Sequence, residues 1–370
     1  MDDKSKRSSN KQLTFRTTFR NAIYQALKRR GWKETDGDDW DLHWVERDWM
    51  SEVFDSVHLS SWQRVNHFRN QRELCRKDNL VKNLKRYKKQ LQKENRTKEA
   101  ENFSFWPLTY VLPGDYSLFV EEFKRNDSSS MWIMKPVGES HVHVDERDSW
   151  DENRATKLTL FHSTSNTFAL LARPRFARPP CPGRSQGKGI FLFQRLAQIN
   201  KWKSDNRYRP ENNDAETYVV QKYIANPYLV AGRKFDIRMY ALVTSYMPMT
   251  CWLHRSGFCR FSSTRYSSSA ATMADQTIHL TNVAIQKKSD TYDSETGGKW
   301  LLRELKLYLM SRYGTAIVDK LFYDMEQVIV QALLSVQNVM MNDKHCFELY
   351  GFDLIFDDSF KVFIIEVNAR

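Results

Sequence analysis

An α+β fold is predicted for this 370-residue chain, and three observations carry the prediction. Strand-like runs, one of them strictly alternating, crowd the part after residue 189. Two segments, 76–98 and 316–341, repeat their apolar residues at helical spacing. The chain then closes on an apparent hairpin, YGFDLIF–DDS–FKVFIIEVNA. Apolar content of 41% and aromatic content of 13% are enough for a large core spread over two or three domains.

Taken in order, residues 1–20 read as a flexible N-terminus, and MDDKSKRSSNKQLTF has no apolar core of the kind a secretory signal needs. Residues 21–100 are mixed and Trp-rich (GWKETDGDDWDLHW) and read as a smaller N-terminal domain. Between Arg76 and Lys98 lie ten Lys or Arg against two acids, with Leu80, Leu84, Tyr87 and Leu91 on one helical face. That segment reads as a basic helix, either a solvated face or a grip for a polyanion. Residues 101–137 turn apolar and end in MWIMKPV, a short strand stopped by Pro136.

Residues 138–184 hold no sustained period and end Pro- and Arg-rich. A structureless loop of that length is unusual inside a domain, so an inserted, mostly disordered excursion is expected. His141, His143, His162 and Cys181 match no zinc spacing. After it, GIFLFQRL and TYVVQKYI read as buried strands. In FDIRMYALVTSY, Phe235, Ile237, Met239, Ala241 and Val243 face one way, Asp236 and Arg238 the other. CWLHRSGFCRF reads as one further strand, and the Ser/Thr/Ala-rich 262–277 as a mobile loop. Helices are expected over roughly 299–312 and 316–341. The second gathers Leu321, Met325, Val328, Ile329, Ala332, Leu333 and Val336 on one face.

The net charge of +12 and pI near 9.3 point to an acidic partner: nucleic acid, anionic lipid or an acidic protein. No window holds eighteen consecutive apolar residues, so no membrane span is expected. Cysteines at 75, 181, 251, 259 and 346 are odd in number and scattered, which suits free thiols in a reducing compartment.

The terminal hairpin carries the strongest chemical signal. Glu366 and Asn368 are two apart on a strand and share a face. Pairing across a turn near Asp357 and Asp358 brings Asp353 opposite or diagonal to Glu366. An Asp, a Glu and an Asn oxygen then converge, a hard donor set that suits Mg²⁺. The plainer alternative is a polar outer face of an edge hairpin. GRSQGKGIFLF, Gly183–Phe193, fits neither G-x-x-x-x-G-K-[ST] nor G-x-G-x-x-G. It leaves a Gly-Lys-Gly tip before a strand, able to fold over phosphates through backbone N–H groups and one cation. No Ser/His/Asp, Cys/His or H-E-x-x-H arrangement stands out.

Lys135 in a strand, the later Gly-Lys-Gly tip, QKYI, GRKFDIR, HLTN and the final Asp…Glu-x-Asn together resemble an ATP-grasp ligase. The wording of RKDNLVKNLKRY, FVEEF, GFCRFSSTRYS, GGKW, NDKHCFELYGFDLIFDD and IIEVNA resembles the tubulin–tyrosine ligase-like family, nearest its polyglutamylase members. The likeness runs from about Trp32 to Ala369 apart from the insertion.

The resemblance implies ATP held between two antiparallel-sheet lobes, 101–224 and 225–370. It implies ATP contacts at Lys135, Gln186, Gly187, Lys188, Gln221, Lys222, Tyr223, Ile224, Lys234, Phe235, Asp236, Thr281 and Asn282. It gives Mg²⁺ to Asp353, Glu366 and Asn368, the incoming glutamate to Arg260 and Lys299, and catalytic roles to Arg238 and Lys188. The implied reaction phosphorylates a carboxylate; the amine of free L-glutamate then attacks the acyl-phosphate. Oriented cations and Mg²⁺ suffice for that chemistry.

The implied acceptor is a glutamate side chain in an acidic tubulin tail, a polyanion that the basic helix suits; neither nucleic acid nor a membrane is an implied partner. Microtubules of the cytoplasm, cilium, basal body or axoneme are the implied place, with accessory subunits left open. The chain stops at Arg370 directly after Glu-Val-Asn-Ala, where family members usually continue, so a variant or shortened form is expected. The rival readings are a microtubule-binding chain without turnover, and a glycine or tyrosine ligase on the same scaffold.

Overall fold

A computed structural model describes residues 12–126, 130–137, 189–202, 217–289, 292 and 298–369. The expected insertion at 138–184, its histidines and Cys181, and the loop residues Gln186, Gly187 and Lys188 lie outside the described residues.

The first part of the chain alternates short strands and helices. They are β1 (Thr14–Thr17), α1 (Ala22–Arg29), β2 (Lys33–Glu34), β3 (Leu42–Trp44), α2 (Arg47–Glu52) and β4 (Arg64–Val65). α3 (Arg72–Cys75), α4 (Lys77–Lys93) and α5 (Thr97–Asn102) follow. The four strands form a parallel sheet in the order β2-β1-β3-β4. The amide of Val65 donates to the His345 carbonyl and the amide of Phe347 to that of Val65, tying the small sheet to the last part of the chain. Helix α4 forms because its apolar residues recur on one face. Leu80, Leu84 and Leu91 are buried there and Tyr87 half-buried. Lys82, Arg86, Lys89 and Lys93 are exposed at the same helical spacing on the other side.

Next come β5 (Thr109–Leu112), α6 (Tyr116–Arg125), β6 (Trp132–Pro136), β7 (Phe191–Phe193), α7 (Leu196–Trp202) and β8 (Tyr218–Lys222). These strands make an antiparallel sheet ordered β5-β8-β6-β7. Strand alternation divides it. Trp132, Met134, Tyr218 and Val220 close one core with Phe119 and Phe193. The intervening Ile133, Lys135, Val219 and Gln221 take the other face, toward the last part of the chain.

That last part contains β9 (Leu229–Val230), β10 (Arg233–Tyr246), β11 (Met249–Leu253), β12 (Phe258–Phe261), α8 (Gln276–His279) and α9 (Val283–Gln286). It continues with β13 (Lys299–Leu301), α10 (Leu302–Tyr313), α11 (Thr315–Val336), β14 (Glu348–Phe356) and β15 (Val362–Ala369). Its seven strands form an antiparallel sheet with the path β13-β12-β10-β14-β15, β9 and β11 also pairing with β10. Phe235, Ile237, Met239, Ala241 and Val243 bury against Leu305, Leu309, Leu321, Met325 and Ile329 of α10 and α11. Among the described residues no helix is long and apolar enough to cross a membrane.

Three expectations change. CWLHRSGFCRF is two strands, not one. The chain turns at His254, whose Nδ1 lies 2.7 Å from the Ser256 carbonyl oxygen, and re-enters at Gly257. A Cβ at Gly257 would stand 2.5 Å from the Arg238 carbonyl oxygen, so only glycine lets β12 start this close to β10. Residues 299–301 are strand β13 rather than the first turn of a helix, because they pair with β12. The stretch 262–277 is no free loop: Tyr266 and Met273 pack with Met131, Ile133, Leu192 and Tyr223.

Candidate active site

The polar face of β10 lies inside the protein. Lys234, Asp236 and Arg238 are all buried, although alternation alone would have left them in water. Register explains the company they keep. Lys299 stands opposite Arg260, Arg260 opposite Asp236, Arg238 opposite Asp353, and Asp353 opposite Glu366. One line of charged residues therefore crosses five adjacent strands.

Within that line the ion pairs are close. The guanidinium of Arg238 donates from Nε and Nη2 to both carboxylate oxygens of Asp353, the second at 2.9 Å. Arg260 forks onto Asp236, with Nε at 2.8 Å from Oδ1, and its Nη2 also lies 2.9 Å from Asp353 Oδ2. Two arginines and two aspartates thus neutralise one another. Gly351 makes room for this: a Cβ there would meet Arg238 Cδ and Nη1 at 3.1 Å.

At the β15 end, Asn368 Nδ2 lies 3.5 Å from Asp353 Oδ2 and 3.4 Å from Glu366 Oε1, so three side chains share one point. Lys77, the first residue of α4, reaches in from the N-terminal part, with Nζ 3.3 Å from Glu366 Oε2. Burial alone pushes the Glu366 carboxyl up, but Lys77, Lys135, Arg260 and Arg238 hold it well below the usual carboxylate range. Among the described residues no three His, Cys, Asp or Glu gather as a metal centre. The candidate set is two carboxylates and an amide, which presents an oxygen as readily as a nitrogen. These are hard oxygen donors, and they fit Mg²⁺.

Facing this row is a second group built on β6, β8 and the start of β10. Lys135 Nζ donates to Gln221 Oε1 (2.9 Å), Gln221 Nε2 donates to Thr109 Oγ1 (2.9 Å), and Thr109 donates to the Pro107 carbonyl (2.7 Å). Lys234 Nζ donates to the Tyr223 hydroxyl (2.8 Å) and the His279 carbonyl (2.9 Å). Burial lowers Lys135 to about 8, against the pull of Glu366, and lowers Lys234 to about 7, against that of Asp236. Among the described residues neither lysine has a carboxylate within ion-pair distance. Lys77, Leu84, Trp106, Thr109, Lys135 and Gln221 line an open pocket beside them.

Lys135, Gln221, Tyr223, Lys234, Asp236, Arg238, Arg260, Asp353, Glu366 and Asn368 thus belong to the two facing groups. Thr281 is buried two residues past His279, and Ile224 is half-buried beside Tyr223. Asn282 caps α9, its Oδ1 accepting from the Ala284 amide at 3.1 Å. Lys299 is exposed, its Nζ 5.6 Å from the centre of the Phe258 ring.

Two expected side chains point elsewhere. Lys222 turns to the opposite face of its strand and bonds Asn126 Oδ1 at 2.7 Å, and Phe235 packs in the core against Phe261 and Phe356. Only their backbones can line the site. Conversely, Lys77, Thr109, His279 and Gly351 belong to it, and none of the four carries a site role in the sequence reading, although Lys77 falls in the basic helix and His279 in HLTN. For Gly351 the available signal was an isolated glycine inside the apolar run of β14. The Gly-Lys-Gly tip lies outside the described residues up to Gly189, whose φ is +81°. The strand that follows, β7, pairs with β6 beside Lys135.

A sequence model of the tubulin-tyrosine ligase family matches residues 56–143 and 176–370, which hold every member of both groups. The chain belongs to the tubulin-tyrosine ligase family. Helices packed on antiparallel sheets are the ATP-grasp-like architecture of that family. The interruption of the match, 144–175, falls inside the segment read as an insertion.

Individual relatives are similar over nearly the whole chain. "Probable tubulin polyglutamylase TTLL9" of Bos taurus is 39% identical over 98% of this chain and 75% of its own length. "Probable tubulin polyglutamylase ttll-9" of Caenorhabditis elegans is 40% identical over 99% and 76%. "Probable alpha-tubulin polyglutamylase Ttll1" of Tetrahymena thermophila is 40% identical over 98% and 80%.

Proposed function

We propose that the chain is an ATP-dependent tubulin polyglutamylase, joining free L-glutamate to glutamate side chains in acidic tubulin tails. The observation that carries the reading is the pair of buried lysines, Lys135 and Lys234, neither within ion-pair distance of a carboxylate among the described residues, with a row of Arg and carboxylate groups opposite. A buried cation without an anion is costly. A polyphosphate supplies that anion, so the two facing groups suit ATP held between the central and C-terminal sheets. The relatives named as tubulin polyglutamylases support the choice of acceptor and amino acid.

In this reading the chain's residues divide the work. Lys135 and Lys234 hold phosphate oxygens, and Met131, Ile133, Leu192 and Met273 offer an apolar seat for the base. Lys188, Gln186 and Gly187 are further phosphate contacts in this reading. Asp353, Glu366 and Asn368 would hold Mg²⁺, which when bound would supply positive charge to offset that of the phosphates. Arg238 faces the acyl-phosphate and stabilises its developing negative charge. Arg260 and Lys299 draw the carboxylates of the incoming glutamate. Nothing here removes a proton from a difficult carbon, so no strong base is needed.

The exposed row Lys82, Arg86, Lys89 and Lys93 on α4 gives an acidic tail a track to follow, with Lys77 at its site end. The same reading divides the chain into an N-terminal domain and two lobes that meet near residue 224. It sets the protein on microtubules of the cytoplasm or cilium. Purified chain with ATP, Mg²⁺ and labelled glutamate is expected to label microtubules, and Glu366→Gln to remove the labelling. Full labelling by the variant would overturn the metal assignment. Labelling by glycine or tyrosine in place of glutamate would overturn the amino-acid assignment.

A further inference from the structure

His279 is buried at the junction of the nucleotide-facing strand and the 262–277 segment, and the reaction outlined above gives it no part. Burial and the nearby Lys234 ammonium favour the neutral ring, and for a neutral ring the hydrogen bonds leave a single arrangement. Nε2 lies 3.2 Å from the carbonyl oxygen of Thr272, which can only accept, so Nε2 carries the proton. Neutral imidazole then offers Nδ1 as an acceptor, and the Tyr223 hydroxyl, 3.1 Å away, donates to it. With its proton committed to His279, the Tyr223 oxygen turns a lone pair to Lys234 Nζ at 2.8 Å. The carbonyl of His279 takes a second Lys234 N–H at 2.9 Å. One N–H of the three remains for a ligand oxygen. The ammonium also stands 4.4 Å from the centre of the Tyr223 ring, and Tyr266 closes over the imidazole edge-on at 5.8 Å.

We propose that His279 is a positioning residue for the nucleotide. Through its tautomer it fixes the hydroxyl of Tyr223, and the two together hold Lys234 where a phosphate or ribose oxygen of ATP meets the remaining N–H. The inference rests on the nucleotide reading of Lys234 given above. It reaches further, because it makes ATP affinity depend on a ring that touches no substrate. The Thr272 bond also ties the imidazole to the 262–277 segment, whose Met273 packs with Tyr223.

The test is a set of ATP dissociation constants measured by calorimetry on the full chain: wild type, His279→Asn, His279→Gln, His279→Leu, Lys234→Met and the double variant Lys234→Met/His279→Leu. Asn keeps an acceptor at the Nδ1 position; Gln moves it to the Nε2 position; Leu has none. His279→Leu and His279→Gln are expected to weaken ATP binding about tenfold, the size of one lost charge-assisted hydrogen bond. His279→Asn should stay within about twofold of wild type. In the Lys234→Met background His279→Leu should cost nothing further, since the group it positions is gone.

Thermal unfolding reports the fold of each variant. If His279→Leu does not fold, the Asn-against-Gln contrast decides instead. Wild-type affinity in folded His279→Leu or His279→Gln, or an undiminished loss in the double variant, would overturn the proposal. Wild-type affinity in Lys234→Met would overturn the nucleotide reading itself, a result the His279 variants alone do not produce.

Discussion

The two facing groups of the site solve opposite electrostatic problems. On the C-terminal sheet the arginines 238 and 260 are matched by aspartates 236 and 353, through fork-shaped pairs that leave no charge over. Lys135 on the central sheet and Lys234 at the start of β10 bond, among the described residues, to neutral oxygens: an amide, a phenol and a backbone carbonyl. The first group balances its own charges before a ligand arrives, and its pairs orient one another. The second is a charge deficit built into the core, and it is completed by an anion from outside. Preorganisation and appetite for ligand are thus placed on different side chains, Lys234 preceding Asp236 and Arg238 along β10 and Lys135 standing on β6.

The sharpest way to break that contrast is to remove one charge from each side and compare stability without ligand. Asp353→Asn leaves two buried guanidiniums short of their partner and is expected to cost about 3–5 kcal/mol, along with all activity. Lys234→Met removes a buried cation that no carboxylate compensates. It should leave the unliganded chain as stable as wild type or more so, while ATP binding falls. Thermal unfolding of both variants without nucleotide checks this. A loss as large in Lys234→Met as in Asp353→Asn would mean that the two sides are not different in kind.

A smaller effect tests how rigid the row must be. Gly351→Ala puts a methyl group 3.1 Å from Arg238 Cδ and Nη1, so the guanidinium must shift by a few tenths of an ångström. Turnover is expected to fall about tenfold while the ATP dissociation constant stays near wild type, because a small displacement of an orienting group costs rate rather than affinity. Steady-state labelling with separate ATP binding measurements distinguishes the two.

Gly351 also shows what sequence reading reaches. The period of two in β10 and across the terminal hairpin fixes which residues share a face, so the Asp353–Glu366 pairing and the Asp236/Arg238 face were legible. Burial of that face was not, because the elements covering it come from elsewhere in the chain. Lys77 was legible as part of a basic helix, but nothing local says that its Nζ meets Glu366. His279 looked like one letter of a short motif. Its meaning lies in Tyr223 and Thr272, which only the folded chain brings to its two nitrogens.

The gentlest probe of the charge deficit is pH. Lys234 rests near 7, so at pH 8 most of it is neutral in the unliganded chain. Only the ammonium attracts phosphate, and bound phosphate raises the pKa back toward the ordinary lysine value of about 10.4. ATP binding must therefore take up protons between about pH 7 and 9, and affinity must fall as pH rises through that window, by up to about tenfold per unit for each lysine that takes up a proton. Calorimetry at pH 8 in two buffers of different ionisation enthalpy measures the uptake directly. Lys234→Met should lose most of one proton relative to wild type, with Lys135, resting near 8, supplying what remains. The matched arginines of the row titrate nowhere near this window, so proton uptake that survives in Lys234→Met undiminished would place the deficit on some other group.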